Sequence, residues 1–166
     1  MMFSGKVIKF GDNINTDVIL PGKYMVLTDP KELSQHAMEG LDSTFTKKAK
    51  DGVILVAGKN FGCGSSREQA PLALKYAGVK CVLAESFARI FYRNSINIGL
   101  PVVECEGISG KAEEGDQLTV DLKAGIIENQ SKGTTIRVAQ IPSFMLEIIS
   151  DGGLIKNLRR RMKENE

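Results

Sequence analysis

The sequence predicts an α/β protein with a parallel β-α-β-α-β core, an antiparallel addition and two C-terminal helices. Three observations carry this. Apolar runs at 53–56, 80–84 and 101–104 alternate with helix-period segments at 66–77 and 86–97, the pattern of parallel strands joined by right-handed crossovers. After Gly107 the period drops to two: Gln117-Leu118-Thr119-Val120-Asp121-Leu122, Gly125-Ile126-Ile127-Glu128 and Thr134-Thr135-Ile136-Arg137-Val138 read as antiparallel strands joined by short turns. Pro142 then opens a helix to about Ser150, Gly152-Gly153 breaks it, and Leu154 to Lys163 forms a second, basic helix.

The elements before this core follow from local chemistry. Phe3, Val7, Ile8 and Phe10 with polar interruptions make a strand over 3–10. Gly11-Asp12-Asn13-Ile14-Asn15-Thr16-Asp17 is dense in turn formers. Val18-Ile19-Leu20 is a short apolar run closed by Pro21-Gly22, and residues 23–29 have no period and read as a loop. Asp29 before Pro30 marks a helix start, running to Met38. The lysine-rich segment 42–51 reads as an exposed helix. We expect one domain over 1–166, with its core in 1–150 and a basic helix in 151–166.

Composition narrows the chemistry. A hydrophobic content of 42% and a charged content of 25% suit a globular protein with a proper core. A net charge of +2 does not by itself argue for nucleic acid. No apolar run approaches the roughly 20 residues needed to cross a bilayer, and Met1 to Lys6 holds no signal-peptide core, so a cytoplasmic protein is expected. Cys63, Cys81 and Cys105 are odd in number and widely spaced, which disfavours a disulfide framework or a self-contained metal cluster. With His36 the only histidine, multi-histidine metal sites and a Ser-His-Asp triad are also disfavoured. Hydroxyls, Arg, Lys, carboxylates and backbone amides remain, together with whatever a partner brings.

Those groups concentrate in Gly58-Lys59-Asn60-Phe61-Gly62-Cys63-Gly64-Ser65-Ser66-Arg67-Glu68, between an apolar strand and a helix. A glycine turn there aims N–H groups and a helix N-terminus at one point, which suits a carboxylate or phosphate. Three readings stand side by side. Ser65-Ser66-Arg67-Glu68 fits a helix capping box, which explains one serine and the glutamate but not Gly62, Gly64, Ser66 and Arg67 together. Gly62-x-Gly64-x-x-Arg67 resembles a dinucleotide turn, with Glu85 placed as a ribose-binding acid, but arginine replaces the glycine that lets helix and strand approach. Pro71 is expected to bend the following helix or cost it a hydrogen bond.

The third reading is a family resemblance. Gly62-x-Gly64-Ser65-Ser66-Arg67-Glu68 followed by Ala70 resembles the signature of the aconitase superfamily's swivelling β/β/α domain. Asn15-Thr16-Asp17-Val18-Ile19 and Ser86-Phe87-Ala88-Arg89-Ile90-Phe91 resemble two further motifs of that domain, in the same order. Standing alone at this length, the chain is similar to the small-subunit family of 3-isopropylmalate dehydratases, lyases of leucine biosynthesis.

The resemblance implies a two-part enzyme. A large subunit carries the [4Fe–4S] cluster, and no cofactor or metal is held by this chain. The substrate is a small hydroxy-dicarboxylate that loses and regains water. Ser65 is implied as the catalytic base, with Ser66, Arg67 and Asp17 binding substrate; beside the resemblance, charge makes Lys59 and Arg89 candidates for further cations nearby. A helix N-terminus supplies about 0.3–2 kcal/mol, against about 1.4 kcal/mol per pKa unit, so a serine base needs added positive charge and a dry interface. Tyr24, Met25, Val26 and Leu27 are implied as the specificity loop. Homoaconitate-type relatives resemble Tyr-Leu-Arg-Thr there, with the arginine at Val26. A homoaconitase or related hydroxy-diacid dehydratase, and a non-catalytic anion- or nucleotide-binding module, stay open.

Overall fold

The computed structural model describes all residues, 1–166. Its strands are β1 (Met2–Lys9), β2 (Val53–Ala57), β3 (Val79–Ala84), β4 (Val102–Glu104), β5 (Gln117–Asp121), β6 (Ile126–Asn129) and β7 (Thr134–Arg137). They form one seven-stranded mixed sheet in the order β4-β3-β2-β1-β5-β6-β7. On one side of β1 the pairings with β2, β3 and β4 are parallel; on the other, β5, β6 and β7 are added antiparallel. The expected parallel core and antiparallel addition are therefore one continuous sheet. β1 is the seam: Lys6 faces Val53 of β2 and also Gln117 of β5.

Helices α1 (Thr16–Ile19), α2 (Pro30–Ser34) and α3 (Phe45–Ala49) lie in the long crossover from β1 to β2. Helix α4 (Gln69–Ala77) links β2 to β3 and α5 (Arg89–Asn97) links β3 to β4. Then come α6 (Ile108–Lys111), α7 (Ser143–Ser150) and α8 (Leu154–Glu164). Every residue of β2 is buried, as expected for a strand of a parallel sheet covered on both faces. The α/β fold with a parallel core and antiparallel addition, expected from the sequence, is the fold observed.

Several local expectations are corrected. Segment 42–51 does not form an exposed helix: Phe45 and Ala49, one turn apart on α3, are both fully buried. The Phe45 ring lies 6.0 Å from that of Phe10. Asp29 caps α2, its Oδ1 accepting the Lys31 N–H at 3.1 Å, but the helix ends at Ser34 rather than Met38. Met38 takes a positive φ and donates its N–H to the Ile19 carbonyl at 2.8 Å.

Helix α4 starts at Gln69, not at residue 66, so Pro71 is its third residue. A proline there gives up an N–H that has no intrahelical partner anyway, so neither bend nor lost bond follows. Helix α5 starts at Arg89 because residues 86–88 run extended beside Phe61. The Phe61 N–H donates to the Ser86 carbonyl at 3.0 Å, and the Ala88 N–H to the Phe61 carbonyl at 2.9 Å.

The burial of α3 sets a stability test. Phe45→Ala should cost about 3–5 kcal/mol, whereas Lys47→Ala on the exposed face of the same helix should stay within about 0.5 kcal/mol. Denaturant midpoints at unchanged slope measure both.

Candidate active site

Strands β1 and β2 are parallel neighbours, so the loops after them meet at the carboxyl ends, where open α/β sheets bind ligands. The glycine-rich loop 58–68 is held there from two sides. From the β1 side, Asp12 Oδ1 accepts the Lys59 N–H at 2.7 Å. The Gly62 N–H donates to the Ile14 carbonyl at 2.7 Å, and the Thr16 N–H to the Cys63 carbonyl at 2.9 Å. The Thr16 hydroxyl, itself buried, donates to the Ser65 carbonyl at 2.8 Å. From the β3 side, Ser86 Oγ accepts the Asn60 N–H at 2.8 Å. Gly62 is obligatory: φ is +81°, and a Cβ there would lie 2.1 Å from Phe91 Cγ.

The loop forms one wall of a cleft of about 290 Å³. Ser65, Ser66 and Arg67 face the first turn of α5, where Arg89 and Ile90 stand, with Asn94 one turn further on. Arg67 Nη1 pairs with the Asp17 carboxylate and donates to the Leu20 carbonyl at 3.2 Å. Arg67 is only 16% exposed, so its guanidinium is fixed, whereas Asp17 at 62% reaches it from the surface. The Ser65 and Ser66 side chains are exposed and make no hydrogen bond to protein. Of the residues singled out from sequence, Ser65, Ser66, Arg67 and Arg89 line this cleft, and Asp17 joins it through Arg67.

The capping-box expectation fails. Ser65 stands four residues before the helix, and the α4 N-cap, Glu68, makes no side-chain capping bond. The first turn lining the cleft belongs to α5. The ribose-acid reading of Glu85 fails as well. Its carboxylate accepts the N–H groups of Gly107 and Ser109 at the start of α6, at 3.1 and 3.2 Å. Those bonds, the one from Gly107 foremost, hold the Glu85 carboxyl below its ordinary range.

The loop 24–27 begins beside Arg67: a Cβ at Gly22 would lie 3.5 Å from Arg67 Nη2. Tyr24, Met25 and Leu27 pack partly against the core, while Val26 is 82% exposed. The Tyr24 ring stacks on His36 at 3.6 Å between centroids. The nearby Glu39 carboxylate holds the Tyr24 phenol above its ordinary range, and Tyr24 holds that carboxyl below its own.

Sequence reasoning did not single out Thr16 or Asn94 by role. Thr16 stood inside a quoted motif, but its hydroxyl's target is a backbone carbonyl 49 residues away. The helical spacing of Asn94 from Ile90 and Phe91 was the only signal for Asn94.

No three His, Cys, Asp or Glu side chains converge anywhere. Cys81 and Cys105 are buried, Cys63 is half-buried beside the site, and burial pushes the Cys81 thiol far up. This donor set does not fit an iron–sulfur cluster, which needs several converging thiolates.

Residues 5–106 match the profile of the aconitase C-terminal domain. The chain belongs to the aconitase C-terminal domain family. The Methanocaldococcus jannaschii isopropylmalate/citramalate isomerase small subunit is 55% identical over 165 residues, covering 99% of this chain and 98% of that one. The Halothermothrix orenii 3-isopropylmalate dehydratase small subunit is 55% identical over 163 residues, covering 98% and 99%. The crystal structure of 3-isopropylmalate dehydratase from Methanocaldococcus jannaschii superposes with a TM-score of 0.93 at 45% identity, covering 99% of this chain and 98% of that chain. Aconitase X from Thermococcus kodakaraensis shares the fold, with a TM-score of 0.52 at 17% identity over 84% of this chain and 92% of that chain.

The clamp on this aconitase-type loop generates one test. Thr16→Val removes the hydroxyl that holds the Ser65 carbonyl and should cost about 1 kcal/mol globally. Amide exchange at Ser65 and Ser66 should speed up by more than that global loss explains. The Glu85 carboxylate generates a second. Its pKa is lower folded than unfolded, so its stabilisation is full above the unfolded carboxyl pKa and is lost as pH falls through the folded value. Glu85→Gln should therefore flatten the acid limb of a stability–pH profile.

Proposed function

We propose that this chain is the small subunit of 3-isopropylmalate dehydratase, a hydro-lyase of leucine biosynthesis that interconverts 2- and 3-isopropylmalate. One observation carries the reading: the Ser65-Ser66-Arg67 loop and the Asp17 turn meet in one cleft, in a chain that matches curated small subunits from end to end. Those relatives are named as small subunits, which supports a larger partner for this chain. We assign the [4Fe–4S] cluster to that partner, because the donor set here does not fit one, and the chemistry given to this chain is limited to protons and carboxylates. No helix is long and apolar enough to cross a membrane, in keeping with work in the cytoplasm.

In this reading Ser65 removes the proton α to a substrate carboxylate. Ser66 and Arg67 hold that carboxylate, and Asp17 keeps the guanidinium aimed. The hydroxyl must approach alkoxide character, which water on an exposed loop opposes. The dipole of α4 acts weakly on Ser65, because its influence falls off within one turn. The remaining stabilisation comes from fixed positive charge in a site that the larger subunit closes and dries, where each interaction strengthens. The subunit alone is therefore inactive.

Val26 is the side chain of loop 24–27 that stands free to meet a substrate's alkyl group. A methylene there is worth about 0.8 kcal/mol, while an unpartnered buried carboxylate costs several. The loop thus rejects a longer tricarboxylate more strongly than it ranks alkyl groups.

Two measurements on the complex reconstituted with the larger subunit test this. Ser65→Ala should lower kcat by about 10²–10⁴-fold with assembly intact; full activity would overturn the base assignment. Val26→Arg should raise the ratio of homoaconitate to isopropylmalate turnover, and an unchanged ratio would remove the loop from specificity.

A further inference from the structure

We infer that Arg89 binds the second carboxylate of the substrate, the one Arg67 does not hold. The inference rests on the proposed function and deepens it.

The argument is one of charge and position. A hydroxy-dicarboxylate brings two negative charges into the cleft. Two guanidinium groups line that cleft, Arg67 and Arg89. The charge of Arg67 is already matched by Asp17, and one of its N–H groups is taken by the Leu20 carbonyl. Asp17 and Arg67 together add no net charge, so they orient one carboxylate without neutralising two. Arg89 is exposed, has no carboxylate within 4.0 Å and donates to no protein acceptor. It is the uncompensated cation of the cleft.

Its placement adds to this. Arg89 is the first residue of the nine-residue α5, and its N-cap, Ala88, has no side chain able to cap. The N–H groups of Arg89, Ile90 and Phe91 have no backbone acceptor, and the partial positive charge they carry lies on the same wall. Arg89 also borders a second cavity of about 420 Å³, which holds Glu104 and Tyr92. The side chain therefore stands between the Ser65 cleft and an acid on its far side, and it is fixed to neither. A planar guanidinium free to turn toward a carboxylate makes a charge-assisted pair with two parallel hydrogen bonds.

The test uses the complex with the larger subunit. Arg89→Gln should raise KM for isopropylmalate about tenfold or more, with kcat changed less than threefold, and Arg89→Lys should recover part of that loss. Inhibition supplies the control that a merely structural role would not move. Arg89→Gln should weaken 2-isopropylsuccinate about tenfold and leave one of its two half-amides, the one lacking the Arg89-bound carboxylate, unchanged. An Arg89→Gln complex with KM and inhibition constants within twofold of wild type overturns the inference. So does equal weakening of the diacid and both half-amides. If the wild-type complex turns over a different hydroxy-diacid, the substrate assignment falls, and the same comparison on that diacid decides Arg89. If it turns over none, both readings fall.

Discussion

Parallel pairing of β1 with β2 is the constraint from which the site follows. Neighbouring parallel strands end on the same side of a sheet, so the loops they feed must run beside one another. Here the loop after β1 supplies Asp12, Ile14 and Thr16, and the loop after β2 supplies Lys59, Gly62, Cys63 and Ser65. The bonds between them are almost all to backbone groups. Side chains such as Ser65 and Ser66 are thereby left free for chemistry while the chain beneath them is fixed. A loop held by its own serines would have no hydroxyl to offer.

In the function proposed above, the resulting site is one half of a catalytic apparatus. It presents two hydroxyls, a braced guanidinium and a free one on an open face, with no histidine lining the cleft and no converging metal ligands. In the proposed function such groups recognise a diacid and handle its proton. Ser65, the proposed base, would need water excluded, and an open face cannot exclude water by itself. The proposed division of labour between two subunits agrees with the side chains this chain offers in the cleft.

Much of this was legible in the residues. Apolar runs alternating with helix-period segments specified the parallel half, and period-two runs specified the antiparallel half, because buried strands and hairpins impose those patterns locally. What stayed hidden depends on contacts distant in sequence. The strand at 3–10 was readable, but its place between β2 and β5 was not, since nothing in an isolated strand names its neighbours. Phe45 and Ala49 sit among lysines, so composition marked their helix as exposed while the three-dimensional packing buries it. Helix starts at 66 and 86 were read too early, because residues 86–88 answer to a bridge with Phe61 and not to helical periodicity. Ser65 was legible through its motif. Its tether to Thr16 was not, as a hydroxyl bonded to a backbone carbonyl leaves no pattern.

The seam position of β1 reaches into how the protein is born. Ser4 and Thr119, hydrogen-bonded at 3.0 Å across β1 and β5, are separated by 115 residues. Strand β1 therefore waits for β5 before both of its edges are covered. Non-local pairing of this kind slows folding, and an apolar strand with an open edge is prone to wrong partners meanwhile. Closing the β1–β5 seam, which joins segments 115 residues apart, is therefore a slow step in assembling this sheet.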